Sequence, residues 1–365
     1  MKTYLVINMP ATYRIDLFNV LCKELGHDIK FCFIREPAIE YKKGIGVYED
    51  ETFINTSSFY NQKHSLIRSV RFFIDLLMDR PEVIVNGGMP PRTLFLCAYT
   101  KIFRKKLVIW WAGTEYSEAD ISPLKTLYRK IIVNCVDGVI FYSKYALEYY
   151  QQLQMNSFPY VILGNNTRDS SEYRRLVKSR AENRTDSEIR FLTVGFQTKR
   201  KNTIALLHAL SSLGSAAKNI RLLIAGDGPE LTGLKTFAKE KQLSNVQFLG
   251  NVNPEDMIDV YANSDVFIHP SLMDQWPQTY NEASAAGLPI LISNRSGVFD
   301  KYIEEFGSSA LFVPTDYASI SASMIKLAND RELRLSMGAK ALENALKYDA
   351  NYAGETYLRF IHEFI

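Results

Sequence analysis

Short runs of β-branched and aromatic residues alternate with helix-period segments along almost the whole chain, and this alternation limits the fold more than any other feature. A strand, a covering helix and a second parallel strand form a right-handed βαβ unit, so repeated units build a parallel sheet with helices on its faces. In the first half the strand candidates are residues 4–8, 29–34, 82–86, 106–111, 138–142 and 160–163. Helical periodicity fills the gaps. Residues 13–25, for example, place Leu17, Val20, Leu21 and Leu25 on one face, and Gly26 supplies a stop. A second series follows at 189–194, 220–225, 246–249, 266–269, 289–292 and 310–313, and from about residue 318 the pattern is almost all helical.

At 365 residues the chain exceeds the roughly 250–300 at which single cores divide. The best dividing point is the polar stretch 165–188, nearly free of large apolar groups. The expected layout is an α/β protein with two Rossmann-like domains, at 1–165 and 189–345. Residues 166–188 form a linker or surface excursion and 346–365 a terminal helix.

The formal net charge of +3 is too small to argue for nucleic acid as a partner. The charge is concentrated in residues 1–160, with 20 Lys and Arg against 16 Asp and Glu. All four cysteines (Cys22, Cys32, Cys97, Cys135) lie in apolar stretches without a C-x-x-C pair, which fits buried thiols in a reducing cytosol. The first apolar run is short and ends at Pro10, which reads as a strand and not as a signal peptide. No apolar run reaches the roughly 18 residues of a membrane span. A cytoplasmic location follows as the expectation, with peripheral attachment to the membrane left open.

The segment D-Q-W-P-Q-T-Y-N-E-A-S-A-A-G-L, residues 274–288, carries the most chemistry. Asp274 stands in a loop and Glu282 eight residues later in a helix, with Pro277 suited to the first helical position. The N–H groups of Gln278, Thr279 and Tyr280 would then face outward at a helix N-terminus, where a phosphate binds. Gly195 ends the first strand of the second series, and Lys199, Arg200 and Lys201 follow in the loop before a helix near Asn202. Cations at the carboxyl end of a strand in an open sheet are placed to hold a diphosphate. A solvated basic turn is the competing reading. In A-G-D-G-P, Gly226 and Gly228 serve a sharp turn, the backbone near Asn251 and Val252 can face a nucleobase, and His269 is as well a structural as a catalytic histidine.

The ordered set V-G-F-Q-T-K-R-K-N, A-G-D-G-P, F-L-G-N-V, Y-A-N-S-D-V-F-I-H-P-S, residues 274–290 and S-G-V-F-D-K-Y-I resembles the retaining glycosyltransferases of family four. The resemblance is dense over 189–345 and diffuse before 165. It implies the GT-B fold, with two Rossmann-like domains facing a cleft and C-terminal helices packing back toward the N-terminal domain. It also implies a hexosyltransferase-type enzyme that moves a sugar from a nucleotide diphosphate sugar to a glycan or lipid-linked acceptor, as in cell-surface polysaccharide or glycolipid synthesis. Retention of configuration is expected, with no cofactor and no obligatory metal.

Carried over residue by residue, Glu282 matches the second glutamate of the E-x7-E motif, a ribose ligand. Asp274 matches the first glutamate, beside the donor sugar, and Lys201 matches the diphosphate lysine. The N–H groups of Gln278 and Thr279 match those on the distal phosphate. Gly195, Lys199, Arg200, Val252 and Tyr280 complete the donor set. The departures are Phe196 where the family has arginine, Asp274 for glutamate, Pro277 for glycine, Asn165-Asn166 at the interdomain turn, and Ala112 near the family's histidine. Phe196 and Ala112 motivate a second reading, a nucleotide-sugar-binding protein without turnover. A nucleotide-sugar epimerase of the same fold is a third.

In the first half, Arg14 can contact an acceptor or a phosphate, or stand as a helix-surface charge. Glu115, with Glu118 nearby, can bind the acceptor or cap a helix. The glycine-rich turn 86–92 suits a cleft wall. Lys101, Arg104, Lys105 and Lys106, with Arg68 and Arg71, suit a membrane surface with anionic lipids or an ordinary solvated face.

Overall fold

The computed structural model describes residues 1–8, 14–24, 29–34, 57–59, 65–153, 157–165, 187–298, 309–312, 314–347 and 349–364. The chain divides into two compact units, one formed by Met1–Asn166 with Ala350–Ile365 and the other by Thr167–Asp349.

The first unit is a seven-stranded parallel sheet. Its strands are β1 (Thr3–Ile7), β2 (Ile29–Phe33), β3 (Ser57–Phe59), β4 (Val83–Gly87), β5 (Lys106–Trp111), β6 (Gly138–Phe141) and β7 (Tyr160–Ile162), in the order β3-β2-β1-β4-β5-β6-β7. Strands such as β5, K-L-V-I-W-W, are buried on both faces, which is why they read as continuous apolar runs. Edge strand β3 is an addition to the six expected strands. At three residues, S-S-F, it is too short to give a periodic signal. The helices are α1 (Ile15–Glu24), α2 (Ser65–Asp79), α3 (Arg92–Phe103), α4 (Pro123–Val133) and α5 (Lys144–Leu153). The stop expected at Gly26 lies outside the described residues.

The terminal helix (Ala350–Phe364) completes this unit by packing on α1, so closely that a Cβ on Gly354 would come within 2.5 Å of Val20 Cγ1. Its Tyr357 is buried near Trp110 of β5. The chain's last helix therefore belongs to the first unit's core.

The second unit is a six-stranded parallel sheet of β8 (Ile189–Val194), β9 (Ile220–Ala225), β10 (Val246–Gly250), β11 (Val266–His269), β12 (Ile290–Ser293) and β13 (Ser309–Phe312). The order is β10-β9-β8-β11-β12-β13. Helices α6 (Thr203–Leu213), α7 (Leu231–Glu240), α8 (Pro254–Ala262), α9 (Gln278–Ala285), α10 (Tyr317–Asn329) and α11 (Arg331–Lys347) link or cover them, and α12 is the terminal helix already described. Phe191, Leu222 and Ile224 of the sheet pack with Leu206, Leu210, Ile320 and Met324 of the helices in one core.

The chain leaves β8 toward β9 on one side of the sheet and reaches β11 on the other. The crevice at the carboxyl ends of β8 and β11 is therefore a topological switch point, where open α/β sheets bind ligands. The sequence lays its most unusual loops there.

Candidate functional site

The loop after β8 is built by its own side chains. Gln197, buried, donates from its amide to Gly195 O at 2.7 Å and accepts from Thr203 Oγ1 at 2.6 Å. The turn after β9 closes on it: Gln197 N–H donates to Asp227 O and Glu230 N–H to Gln197 O. A Cβ on Gly226 would stand 2.1 Å from Gly195 O, and one on Gly228 2.4 Å from Gln197 O. No side chain fits at either position, which gives these glycines the structural role expected of them. The loop after β10 joins through a hydrogen bond from Gly226 N–H to Gly250 O, and Val252 sits half-buried two residues beyond.

Lys199–Lys201 form one turn of 3-10 helix, and Asn202 follows in the left-handed conformation at φ 55°. Asn202 Nδ2 donates to Pro270 O and Pro314 O. Arg200 O accepts from Leu272 N–H and Ser271 Oγ. The basic turn is thus bolted to the loop after β11, and two of its three cations have protein partners, Lys201 half-buried and Arg200 exposed. Arg200 and Lys201 both point at Asp274. Lys201 Nζ lies 2.7 Å and Arg200 Nη1 3.3 Å from Asp274 Oδ2, and Arg200 also donates to Met273 O at 2.7 Å. Lys199 is exposed.

Asp274 is held in place by backbone bonds to a further loop, with Gly297 N–H donating to its carbonyl at 2.8 Å and a bridge to Ser296. His269 Nε2, fully buried, stands 3.3 Å from Asp274 Oδ2, off the line of a good hydrogen bond. Burial alone would raise the Asp274 pKa, but neighbouring His269 and Lys201 outweigh it and hold the carboxyl well below the ordinary range. Burial pushes His269 down from 6.5 despite Asp274. Lys201 and Arg200 are the permanently charged groups on the same oxygen.

Helix α9 starts one residue later than its sequence suggests. Pro277 has extended geometry (φ −69°, ψ 121°) and occupies the N-cap position, not the first helical one. The first helical hydrogen bond runs from Tyr280 N–H to Pro277 O. Tyr280 N–H is therefore spent inside the helix and is not available to a phosphate. The N–H groups of Gln278 and Thr279 lie ahead of that bond, and Thr279 Oγ1 is buried without a partner. Trp276 Nε1–H donates to Asn281 Oδ1 at 3.2 Å and pins the entry of the helix. Glu282 is one turn on, about 6 Å along the axis from Gln278. Its Oε2 accepts from the hydroxyl of Tyr261, a fully buried residue of α8, at 2.7 Å.

Sequence reasoning passed over three contributors here: Tyr261, Gln197 and the 293–297 loop. Each acts through a contact between distant segments, and although Tyr261, Gln197 and Ser296 all stand inside the motifs quoted above, nothing local marks what they touch.

In the first unit the two acceptor candidates are built differently. The Arg14 guanidinium lies 4.9 Å from the ring centre of Trp110 and 5.4 Å from that of Tyr142, so it is a stacked cation and not a helix-surface charge. Glu115 is exposed in a run of turns, and the following helix is capped by Ser122, which accepts from Lys125 N–H. The helix-cap alternative for Glu115 is excluded. Glu118 is committed to Arg129, whose guanidinium covers Trp111 at 4.4 Å. Burial raises the carboxyl's pKa and lowers the guanidinium's. In the turn 86–92, Asn86 accepts from Arg92 Nε and donates to Gly88 O. Among the described residues, no three His, Cys, Asp or Glu side chains gather as metal ligands.

Residues 174–344 match the sequence family described as Glycosyl transferases group 1. The chain is 30% identical over 147 residues to sulfoquinovosyl transferase SQD2 of Arabidopsis thaliana, a match covering 39% of this chain and 28% of that one. It is 22% identical over 331 residues to an uncharacterized glycosyltransferase of Haemophilus influenzae, covering 90% of this chain and 88% of the relative. Among solved structures, Anabaena Alr3699/HepE in complex with UDP superposes over 100% of both chains with a TM-score of 0.78 at 14% identity. At that identity the likeness is one of fold, the GT-B architecture with two Rossmann-like domains.

Proposed function

We propose that the chain is a glycosyltransferase of group 1 that uses a nucleoside diphosphate sugar as donor and a glycan or lipid-linked molecule as acceptor, with retention of anomeric configuration. The observation that carries this reading is the convergence of Lys201 and Arg200 on Asp274 at the entry to helix α9, with Glu282 one turn further in. Cations and helix N–H groups suit a diphosphate. A carboxylate offers about four acceptor sites, and the Tyr261 hydroxyl takes one of those of Glu282, a residue type suited to a ribose diol. The match over residues 174–344 supports the same placement, since it covers this unit's site.

In this reading Lys201 and Arg200 take up charge as the nucleoside diphosphate leaves, the role a divalent ion otherwise fills. Gln278 and Thr279 N–H groups hold the distal phosphate. Asp274 lies where the sugar's hydroxyls must pass. The leaving phosphate can itself accept the acceptor's proton, so the reading requires no separate protein base.

A reading without turnover is favoured by one observation, the exposed phenyl ring of Phe196 where the resembling family has arginine. One experiment separates the two. Pure protein is screened by thermal shift against UDP, GDP, ADP and CMP, then incubated with the sugars of any nucleotide that binds and a crude lipid extract. Nucleotide release with a glycosylated product is the expected result. Binding without release under every acceptor selects the non-catalytic reading, and release with an altered free sugar selects an epimerase. No binding of any nucleotide would sink the donor-site assignment.

A further inference from the structure

Two adjacent strands of the second unit each interrupt their apolar run with an arginine. Arg190 is the second residue of β8 and Arg221 the second of β9, and the two are register partners. Ile189, Phe191, Ile220 and Leu222 lie in the core, so strand alternation puts Arg190, Arg221 and Leu223 on the opposite face of the sheet.

One carboxylate fixes both guanidiniums. Glu188 Oε1 accepts from Arg190 Nε at 3.1 Å, and its Oε2 accepts from Arg221 Nε at 2.8 Å. Burial would raise the Glu188 pKa, but the hydrogen bonds from Arg221 and Arg190 outweigh it and hold the carboxyl below its ordinary value. Glu188 therefore stays charged, yet it balances one positive charge of the two. It also occupies only the Nε edge of each arginine. Among the described residues the forked Nη groups of both make no hydrogen bond, and the two side chains are rooted one strand spacing apart, ~4.8 Å.

These three residues form one wall of a cavity of about 520 Å³, within the range of small-molecule sites. Leu223 and Leu249 give the cavity an apolar floor. Asp259 of α8 also lines it, exposed and without an ion pair to either arginine. Paired guanidinium forks suit the oxygens of a phosphate. A carboxylate away from them repels a ligand that is anionic throughout, but accepts hydrogen bonds from hydroxyl groups. The apolar floor can cover the carbon face of a ring. Gly195 and the cation loop stand at the other end of β8, roughly 16 Å along the strand from Arg190.

We propose that this cavity is a second ligand site, which binds a sugar monophosphate with its phosphate on Arg190 and Arg221 and its hydroxyls on Asp259. The site is separate from the transfer reaction assigned to the carboxyl end of the sheet.

Calorimetric titration of the full chain with glucose 6-phosphate, glucose and inorganic phosphate tests the proposal. Saturable binding of glucose 6-phosphate, roughly tenfold or more tighter than that of either part alone, is the expected result. Arg190→Gln/Arg221→Gln should weaken it by roughly tenfold or more. Asp259→Ala should weaken it about threefold and leave inorganic phosphate unchanged. Residue 259 is exposed, so this variant probes the cavity even where loss of the arginines lowers the melting temperature. No binding of glucose 6-phosphate by the wild type overturns the proposal. Equal binding by the wild type and the arginine variant also overturns it, and places the phosphate elsewhere. Tighter binding by Asp259→Ala does the same, because the carboxylate would then repel the ligand. UDP-induced thermal shifts of the variants should match the wild type. A failure of the donor-site reading would appear as no UDP shift in any of the proteins, and the comparison of glucose 6-phosphate affinities would still stand.

Discussion

Lys201 Nζ lies 2.7 Å from Oδ2 of Asp274, so a cation suited to a diphosphate is already paired with a protein carboxylate. Arg200 shares the same oxygen at 3.3 Å. In the proposed donor-site reading a bound diphosphate competes with Asp274 for both cations. Removing the charge from residue 274 would free them and at the same time take an anion away from the sugar. Asp274→Asn is expected to lower transfer about 100-fold or more. Its affinity for the free nucleoside diphosphate should stay the same or tighten. Calorimetric titration beside a turnover assay checks both, and full activity in the variant would show that Asp274 has no role at the sugar.

His269 makes the same cluster sensitive to pH. Its imidazole is fully buried, and burial lowers its pKa from 6.5 against the pull of Asp274, with Lys201 and Arg200 adding to the lowering. A base whose folded pKa is depressed binds fewer protons in the native than in the unfolded state. Stability is then greatest above the unfolded value and declines as pH falls through about 6.5, by at most about 1.4 kcal/mol per pH unit for one proton. Asp274, also depressed, contributes stability above the unfolded carboxyl value of 3.8 that is lost only in stronger acid. Thermal melts from pH 8 to 5 should show a decline that is shallower in His269→Gln. Parallel curves for the two proteins would mean that His269 does not titrate with unfolding.

Tyr261 touches the site at Glu282. Its hydroxyl donates to Glu282 Oε2 at 2.7 Å from a fully buried position. Tyr261→Phe keeps the packing and removes one charge-assisted hydrogen bond, worth about 1–2 kcal/mol. Nucleotide affinity should fall roughly 5- to 30-fold, with a smaller effect on the turnover of bound donor. Glu282→Ala should weaken binding further, and adding Tyr261→Phe to it should cost little more. Full additivity in that double variant would mean the tyrosine acts elsewhere.

The strands, the two-unit division and the cation loop were legible because each rests on local signals. Apolar runs such as 106–111 and 189–194 mark doubly buried parallel strands, and K-R-K after a strand marks a carboxyl-end loop. What stayed hidden depended on contacts between distant segments. The pairing of residues 200 and 201 with 274, of 261 with 282, and of Gly226 with the carbonyl of Gly195 leaves no periodic trace. The sequence suggests a start for helix α9 one residue early because proline suits both the first helical position and an extended residue before it, and only the backbone angles decide.

Phe196 offers the most direct test of whether the site lacks a cation. Its neighbours Gly195 and Gln197 are fixed by hydrogen bonds to the turn after β9, yet its own side chain is 65% exposed. A replacement there can be accommodated without disturbing the loop, since little packing is lost. Phe196→Arg adds a guanidinium at the same end of the sheet as Lys199, Arg200 and Lys201. If diphosphate binding is limited by Asp274's hold on the existing pair, the added guanidinium should tighten nucleoside diphosphate binding about 3- to 10-fold at low salt. The gain should shrink as salt rises and be much smaller for the nucleoside alone, because the new contact is with phosphate. Titrations of the diphosphate and the nucleoside at two ionic strengths decide the matter. Equal gains for both ligands would place residue 196 against the base or the sugar, and its aromatic ring would then be the feature to explain.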